Sequence, residues 1–140
     1  VDMNALVFEP YANPFRTYRL DEDYAKFKAL FEQRKVDNYI INTGFFMDKK
    51  IPKEVTIGIL EAIIDETAEF HSFGPISEMK TLELEGFAAD FGNTLYVDAL
   101  RRGMQSRVDY IESLKSAKGG KNQLPDEAKE AILKIISELK

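Results

Sequence analysis

The sequence contains no cysteine and only one histidine, His71. Without cysteine the chain has no disulfide, no thiolate metal site and no cysteine nucleophile. A single histidine excludes a metal site built from several histidines, and any catalytic triad that uses histidine would have to use this one. His71 stands between aromatic residues in EFHSFG, where a lone histidine is more often a packed or surface residue than a catalyst.

Long apolar runs and an excess of positive charge are also missing. No apolar stretch approaches the ~20 residues of a membrane helix, so we expect no membrane partner. No signal peptide is recognisable, and the expected location is the cytoplasm. The 19 basic residues are outnumbered by 24 acidic ones, which gives a net charge of -5. Nucleic-acid binding depends on clustered lysine and arginine, so nucleic acid is not an expected partner.

The residues that are present fit an ordinary globular domain. The chain has 140 residues, of which 44% are hydrophobic and 31% are charged, and this balance allows a folded core. We therefore predict a single domain over residues 1–140. The opening VDMNALVFEP predicts a strand over residues 4–8, which begins almost at the first residue of the sequence. From this opening we expect the chain to be a fragment of a longer protein.

Periodic apolar residues predict about four helices. In the first helix an apolar residue recurs every three or four positions from Leu20 to Phe31, and Asp21 is the expected N-cap. Pro52 opens a second helix that extends to about Glu66. This helix is apolar on most sides, which predicts a position at the centre of the core. Two further helices are predicted, one over roughly 94–115 and one that begins after Pro125.

Strands are predicted at residues 4–8, at Val36–Ile41 and within residues 76–85. Strands and helices alternate at first, and helices dominate later. This order predicts an α/β or mixed α+β fold in which a small mixed sheet is packed by about four helices.

The best candidate for a functional site is the predicted loop Asn42–Ile51, which opens the sequence NTGFFMDKKIPKEVT of residues 42–56. Asn42 and Thr43 can bond the backbone or a ligand, and Gly44 permits a positive φ. Lys49 and Lys50 put positive charge beside the start of a helix, which is itself electropositive, so an anionic ligand would be drawn there. The alternative interpretation is that NTG is a simple turn and that both lysines are solvated.

Several motifs along most of the chain resemble the C-terminal part of the ATP-dependent phosphoenolpyruvate carboxykinase family. The motifs are VFEPYANPF, a helix that begins near Tyr24-Ala25, VDNYIINTG and, further on, FGPISEMKTLELEGF. In that family a strand ends in V-N-T-G, and a basic residue followed by an aliphatic one comes later. A threonine lies six positions after the basic residue. Lys50, Ile51 and Thr56 have this spacing.

The resemblance implies a purine-nucleotide site. It assigns the adenine and ribose contacts to Lys50, Ile51 and Thr56. It also implies that ATP or GTP binds the full-length protein, with a divalent metal held by residues upstream of this chain. The upstream remainder of the same protein would then be the partner of this domain. The full-length protein would be a carboxykinase-like phosphotransferase, and the 140 residues alone would be inactive because the metal and triphosphate ligands lie elsewhere.

The chain also departs from the family pattern. Phe45–Asp48 stand where the family has glycines, and Lys50 stands where it has an arginine, whose planar guanidinium stacks better than an ammonium group. A divergent bacterial branch of unknown function fits these departures. The alternative function is a non-catalytic domain that kept the carboxykinase fold and serves as an interaction or scaffold module.

Overall fold

A computed structural model describes Tyr11 and residues 15–139 of the chain. Over this part four α-helices and two pairs of short antiparallel strands follow one another. Their order is α1 (Leu20–Arg34), β1 (Phe45–Phe46), β2 (Lys49–Lys50), α2 (Lys53–Ile64), β3 (Phe70–Phe73), β4 (Ile76–Leu82), α3 (Thr94–Leu114) and α4 (Asp126–Glu138). The predicted mixed α+β class with four helices is therefore confirmed. The strand predicted at residues 4–8 lies outside the described residues.

The chain divides into two compact units. The first comprises residues 1–38 and 107–130, and the second comprises residues 39–106 and 131–140. The assignment of all 140 residues to one domain remains a prediction. No helix in the described part of the chain is both long enough and apolar enough to cross a membrane.

In the first unit, α1 has the length that its apolar periodicity predicts. Its first turn carries three acidic residues, which suits the positive pole of the helix, and it ends where Lys35 takes a left-handed φ of 51°. Asp21 is not the N-cap: that position belongs to Arg19, whose guanidinium pairs with the Asp21 carboxylate at 2.6 Å. The buried residues of this unit are Leu20, Val108, Ile111 and Leu114.

The second unit has its own small core. Ile76 at the start of β4, Val97 in α3 and Leu139 after α4 are buried together. The N–H and the hydroxyl of Ser77 both donate to the Glu138 carboxylate, at 2.9 and 2.8 Å, and this pair of bonds joins the end of α4 to the start of β4. These donors lower the pKa of the Glu138 carboxyl.

Two predictions about residues 36–66 are wrong. Val36–Ile41 forms no strand, because an apolar, β-branched run becomes a strand only beside a partner, and none of the described residues pairs with it. The helix after Pro52 forms as α2 but does not lie at the centre of a core, since none of its residues is buried. Ile64 is 77% exposed, and Ile57 and Leu60 are also exposed. Apolar composition predicted that α2 would be covered, but the described residues of its unit do not cover it.

Candidate functional site

The stretch predicted as a loop, Asn42–Ile51, is a β-hairpin followed directly by α2. Phe45 pairs with Lys50 and Phe46 pairs with Lys49, so only Met47 and Asp48 remain for the turn. Met47 has a φ of 54°, in the left-handed region that favours glycine. Gly44 was expected to use this freedom, but it is not among the residues with positive φ.

The side chain of Asn42 holds the entry to this hairpin. Its Oδ1 accepts the N–H of Gly44 at 3.0 Å, and its Nδ2 donates to the carbonyl oxygen of Phe45 at 2.9 Å. The N–H of Ile51 then donates to the carbonyl oxygen of Gly44 at 2.9 Å, which closes the base of the hairpin. Asn42 and Gly44 therefore shape the loop, and the amide of Asn42 is already engaged at both of its polar atoms.

The two lysines of β2 point to different environments. The Nζ of Lys49 donates to the carbonyl oxygen of Gly86 at 3.2 Å and lies 4.4 Å from the centre of the Phe87 ring. The ammonium of Lys50 makes no hydrogen bond or ion pair with any described residue, and Lys50 lines a cleft at the start of α2. Successive strand residues face opposite sides, so Lys49 contacts the 83–87 loop whereas Lys50 lines the cleft.

This cleft, called here the α2 cleft, has a volume of about 450 Å³. That size lies within the roughly 300–1,000 Å³ typical of small-molecule sites. Its walls come from the end of the NTG turn, the end of β2 and the first turn and a half of α2. The lining residues are Thr43, Lys50, Ile51, Pro52, Lys53, Thr56 and Ile57.

The electrostatics of the α2 cleft favour an anion. Pro52 is the N-cap of α2 and supplies no side-chain hydrogen bond to the first turn. The N–H groups of Val55 and Thr56 donate to the carbonyl oxygen of Pro52, at 3.2 and 3.4 Å, whereas those of Lys53 and Glu54 precede the first helical hydrogen bond and have no acceptor within the helix. Free N–H groups at a helix start carry partial positive charge, and the ammonium groups of Lys50 and Lys53 add to it. Glu54 is the acidic residue in this first turn and opposes part of that charge.

Four of the six predicted site residues meet in the α2 cleft. Thr43, Lys50, Ile51 and Thr56 line it, whereas Asn42 and Gly44 belong to the supporting turn. Ile51 and Thr56 are half-buried, and Lys50 is exposed. The hydroxyl of Thr56 makes no hydrogen bond with a described residue, so it is available as both donor and acceptor.

Sequence reasoning missed three lining residues: Pro52, Lys53 and Ile57. The available signal was helical spacing from Thr56. Lys53 lies three positions before Thr56, and residues three or four apart share one face of a helix. A ligand that touches Thr56 would therefore be expected to pass Lys53 as well.

Other candidate groups lie away from the cleft. His71 is an exposed residue of β3 and pairs with Thr81 across the β3–β4 hairpin. The described residues contain no group of three or more histidine, cysteine, aspartate or glutamate side chains that could hold a metal ion.

Comparison of the chain with protein-family models, with curated proteins and with solved structures finds no match.

Proposed function

We propose that this chain supplies the adenine-side wall of a purine-nucleotide site in a carboxykinase-like phosphotransferase. One observation carries the proposal. The three residues that the carboxykinase resemblance assigns to nucleotide contact, Lys50, Ile51 and Thr56, line the same α2 cleft. They are separated by up to six positions in sequence, and nothing in that spacing alone requires them to face one cavity.

Each residue has a chemical role in this proposal. The Lys50 ammonium attracts the anionic nucleotide and can donate to a ribose or phosphate oxygen. The Thr56 hydroxyl bonds the ribose or an edge of the base. Ile51 and Ile57 provide the apolar surface on which a planar purine lies. Lys53 adds positive charge at the open start of α2.

The remaining chemistry belongs to the upstream remainder of the protein. In this proposal the upstream residues bind the triphosphate of ATP or GTP and hold the divalent metal, which neutralises charge during phosphoryl transfer. The protein acts in the cytoplasm. The 140 residues alone are expected to bind nucleotide weakly and to show no turnover.

A second candidate function is supported by the exposed apolar side of α2. Ile57, Leu60 and Ile64 recur at intervals of three and four residues and therefore form one stripe. Exposed apolar stripes on helices are typical of interaction surfaces. A carboxykinase-fold domain that has lost nucleotide binding could use this stripe as a scaffold surface. The same stripe is also compatible with the first proposal if the upstream remainder covers it.

An NMR titration of the full-length protein with ATP, GTP and inorganic triphosphate separates these two functions. The nucleotide proposal predicts that ATP or GTP perturbs the amides of residues 42–57 first. Inorganic triphosphate, which is attracted by the same charges but lacks the base and ribose, should perturb these amides less than the nucleotide does at equal concentration. If neither nucleotide perturbs this region, the proposal fails and the scaffold function takes its place.

A further inference from the structure

A second cavity lies in the same unit, beneath the β3–β4 hairpin, and shares no residue with the α2 cleft. It has a volume of about 190 Å³, which is below the roughly 300–1,000 Å³ of sites for drug-sized ligands and suits a compact head group. Three phenylalanine rings, Phe73, Phe87 and Phe91, form its apolar walls, and Glu83 is its only acidic lining residue. We call it the aromatic cavity.

The ring walls are held in place by other aromatic side chains. Phe73 and Phe91 stand nearly perpendicular, at 80°, with their centres 5.1 Å apart. Phe91 also packs against Tyr96, and Phe46 packs against both Tyr96 and Phe87. The five rings therefore form a connected series, and its first and last members, Phe73 and Phe87, both line the aromatic cavity. Edge-to-face contacts of this kind fix ring orientation, so the walls are preorganised.

Gly74 allows this arrangement. It has a φ of 56°, and a Cβ at this position would lie 2.3 Å from the Phe91 ring. Only glycine lets the hairpin turn and the Phe91 ring approach so closely. The cavity therefore depends on a specific backbone feature.

The charges around the aromatic cavity favour a cation. Aromatic ring faces carry negative electrostatic potential, and the Glu83 carboxylate makes no ion pair or hydrogen bond with a described residue. The neighbouring 83–87 loop already attracts a cation within the protein. The Lys49 ammonium lies over the ring of Phe87 and bonds the carbonyl oxygen of Gly86. Because Lys49 already occupies the Phe87 ring, a second cation would be held by Phe73, Phe91 and the Glu83 carboxylate.

We propose that the aromatic cavity binds a small organic cation, and specifically a quaternary ammonium head group. Phe73 and Phe91 would contact its methyl groups, and Glu83 would balance its charge. A quaternary ammonium has no N–H to donate, so the aromatic rings and the Glu83 carboxylate would meet its charge, while Ser72 and Thr81, which also line the cavity, can bond a hydroxyl such as that of choline. The proposal does not depend on nucleotide binding at the α2 cleft.

An NMR titration of the 140-residue protein with choline tests this inference. The matched ligand is 3,3-dimethyl-1-butanol, which has the shape of choline but no charge. Choline should perturb the amides of residues 72–74 and 83–91, and it should bind about tenfold or more tightly than the neutral alcohol. A short peptide carrying trimethyllysine, compared with the unmodified peptide, distinguishes a protein-borne ammonium group from a free one. Preferential binding of either cation supports the site.

Two variants make the test specific. Glu83→Gln should weaken choline binding severalfold, whereas Glu85→Gln, the control, should leave it unchanged because Glu85 does not line the cavity. Phe91→Leu keeps an apolar wall but removes the ring, so it should abolish the preference for choline over the alcohol. The inference is overturned if neither choline nor the trimethyllysine peptide binds in preference to its matched ligand, or if the two glutamine variants behave alike.

Discussion

Lys49 and Lys50 are consecutive residues of one short strand, but they serve two different surfaces. The Lys49 ammonium bonds the carbonyl oxygen of Gly86 at 3.2 Å and lies over the Phe87 ring. Lys50 lines the α2 cleft, and its ammonium group is not bonded to any described residue. A pair that looks symmetrical in the sequence thus has one structural member and one member available to a ligand.

This difference predicts unequal effects of the two lysines on the free energy of unfolding. Lys49→Ala removes both a hydrogen bond and a cation–π contact at an exposed site, so it should lower the free energy of unfolding by about 0.5–1 kcal/mol. Lys50→Ala removes neither and should change it by less than about 0.5 kcal/mol. Urea denaturation of the two variants checks the prediction. Equal losses would show that the Lys49 contact with the 83–87 loop contributes nothing.

Substitution by alanine at two glycines should change the stability of the protein in opposite directions. Gly74→Ala places a Cβ 2.3 Å from the Phe91 ring at a φ of 56°, and it should destabilise the protein by about 1–3 kcal/mol. Gly58 lies within α2 and a Cβ there would meet nothing within 4 Å. Gly58→Ala should therefore stabilise the protein by about 0.5–1 kcal/mol, because alanine favours a helix. Thermal unfolding of both variants measures the two signs, and a shared sign would contradict the described geometry.

Two isoleucines differ in burial, and their replacement should therefore differ in its effect on stability. Ile76 is fully buried in the core of the second unit, whereas Ile64 is 77% exposed at the end of α2. Ile76→Ala should lower the free energy of unfolding by about 2–5 kcal/mol, and Ile64→Ala should change it by less than about 0.5 kcal/mol. Chemical denaturation of the 140-residue protein gives both values. A large loss for Ile64→Ala would mean that α2 is covered after all.

The α3 and α4 segments of the first unit share a group of ion pairs. Lys129 and Lys115 donate to Glu112, and these bonds lower the pKa of its carboxyl; a hydrogen bond from Lys115 likewise lowers the pKa of Asp126. A carboxyl whose pKa is lowered by folding stabilises the protein at neutral pH, and this stabilisation is lost as the pH falls through its folded pKa. Salt should weaken it at every pH, because these groups are exposed.

We therefore expect Glu112→Gln to lower the unfolding midpoint slightly at neutral pH and low salt. The difference from the unmodified protein should shrink at acidic pH and at high salt. Glu130→Gln is the control, since Glu130 lies on α4 but forms no ion pair with a described residue. If the two variants lose the same amount under all conditions, the ion-pair group has no measurable effect.

Helices were the most predictable part of this fold. The bounds of α1 and α3 follow from apolar residues at helical spacing, and in α1 the charges that suit the helix poles add a second local signal. Val36–Ile41 has the composition of a strand, but strand formation depends on a partner that local sequence does not name. The exposure of α2 could not be predicted for the same reason, because composition shows that a helix is apolar without showing what covers it.

The candidate site was predictable in part. The carboxykinase resemblance singled out Lys50, Ile51 and Thr56, and these residues line one cavity, while their role in binding stays a prediction. The separate role of Lys49 depends on Gly86 and Phe87, which are 37 and 38 positions away, and no local pattern reveals that contact. The aromatic cavity was not predictable either, since no local pattern brings Phe73 together with Phe87 and Phe91.

The nucleotide proposal is tested most directly by calorimetry with ATP and GTP on the full-length protein and on two variants. A charge-assisted hydrogen bond contributes roughly 1.5–3 kcal/mol, so Lys50→Ala should weaken binding of the preferred nucleotide by about tenfold or more. Lys49→Ala, the matched control, should change the affinity by less than about threefold, because its ammonium is engaged with the 83–87 loop. If neither nucleotide binds, or if Lys50→Ala binds as tightly as the unmodified protein, the α2 cleft is not a nucleotide site.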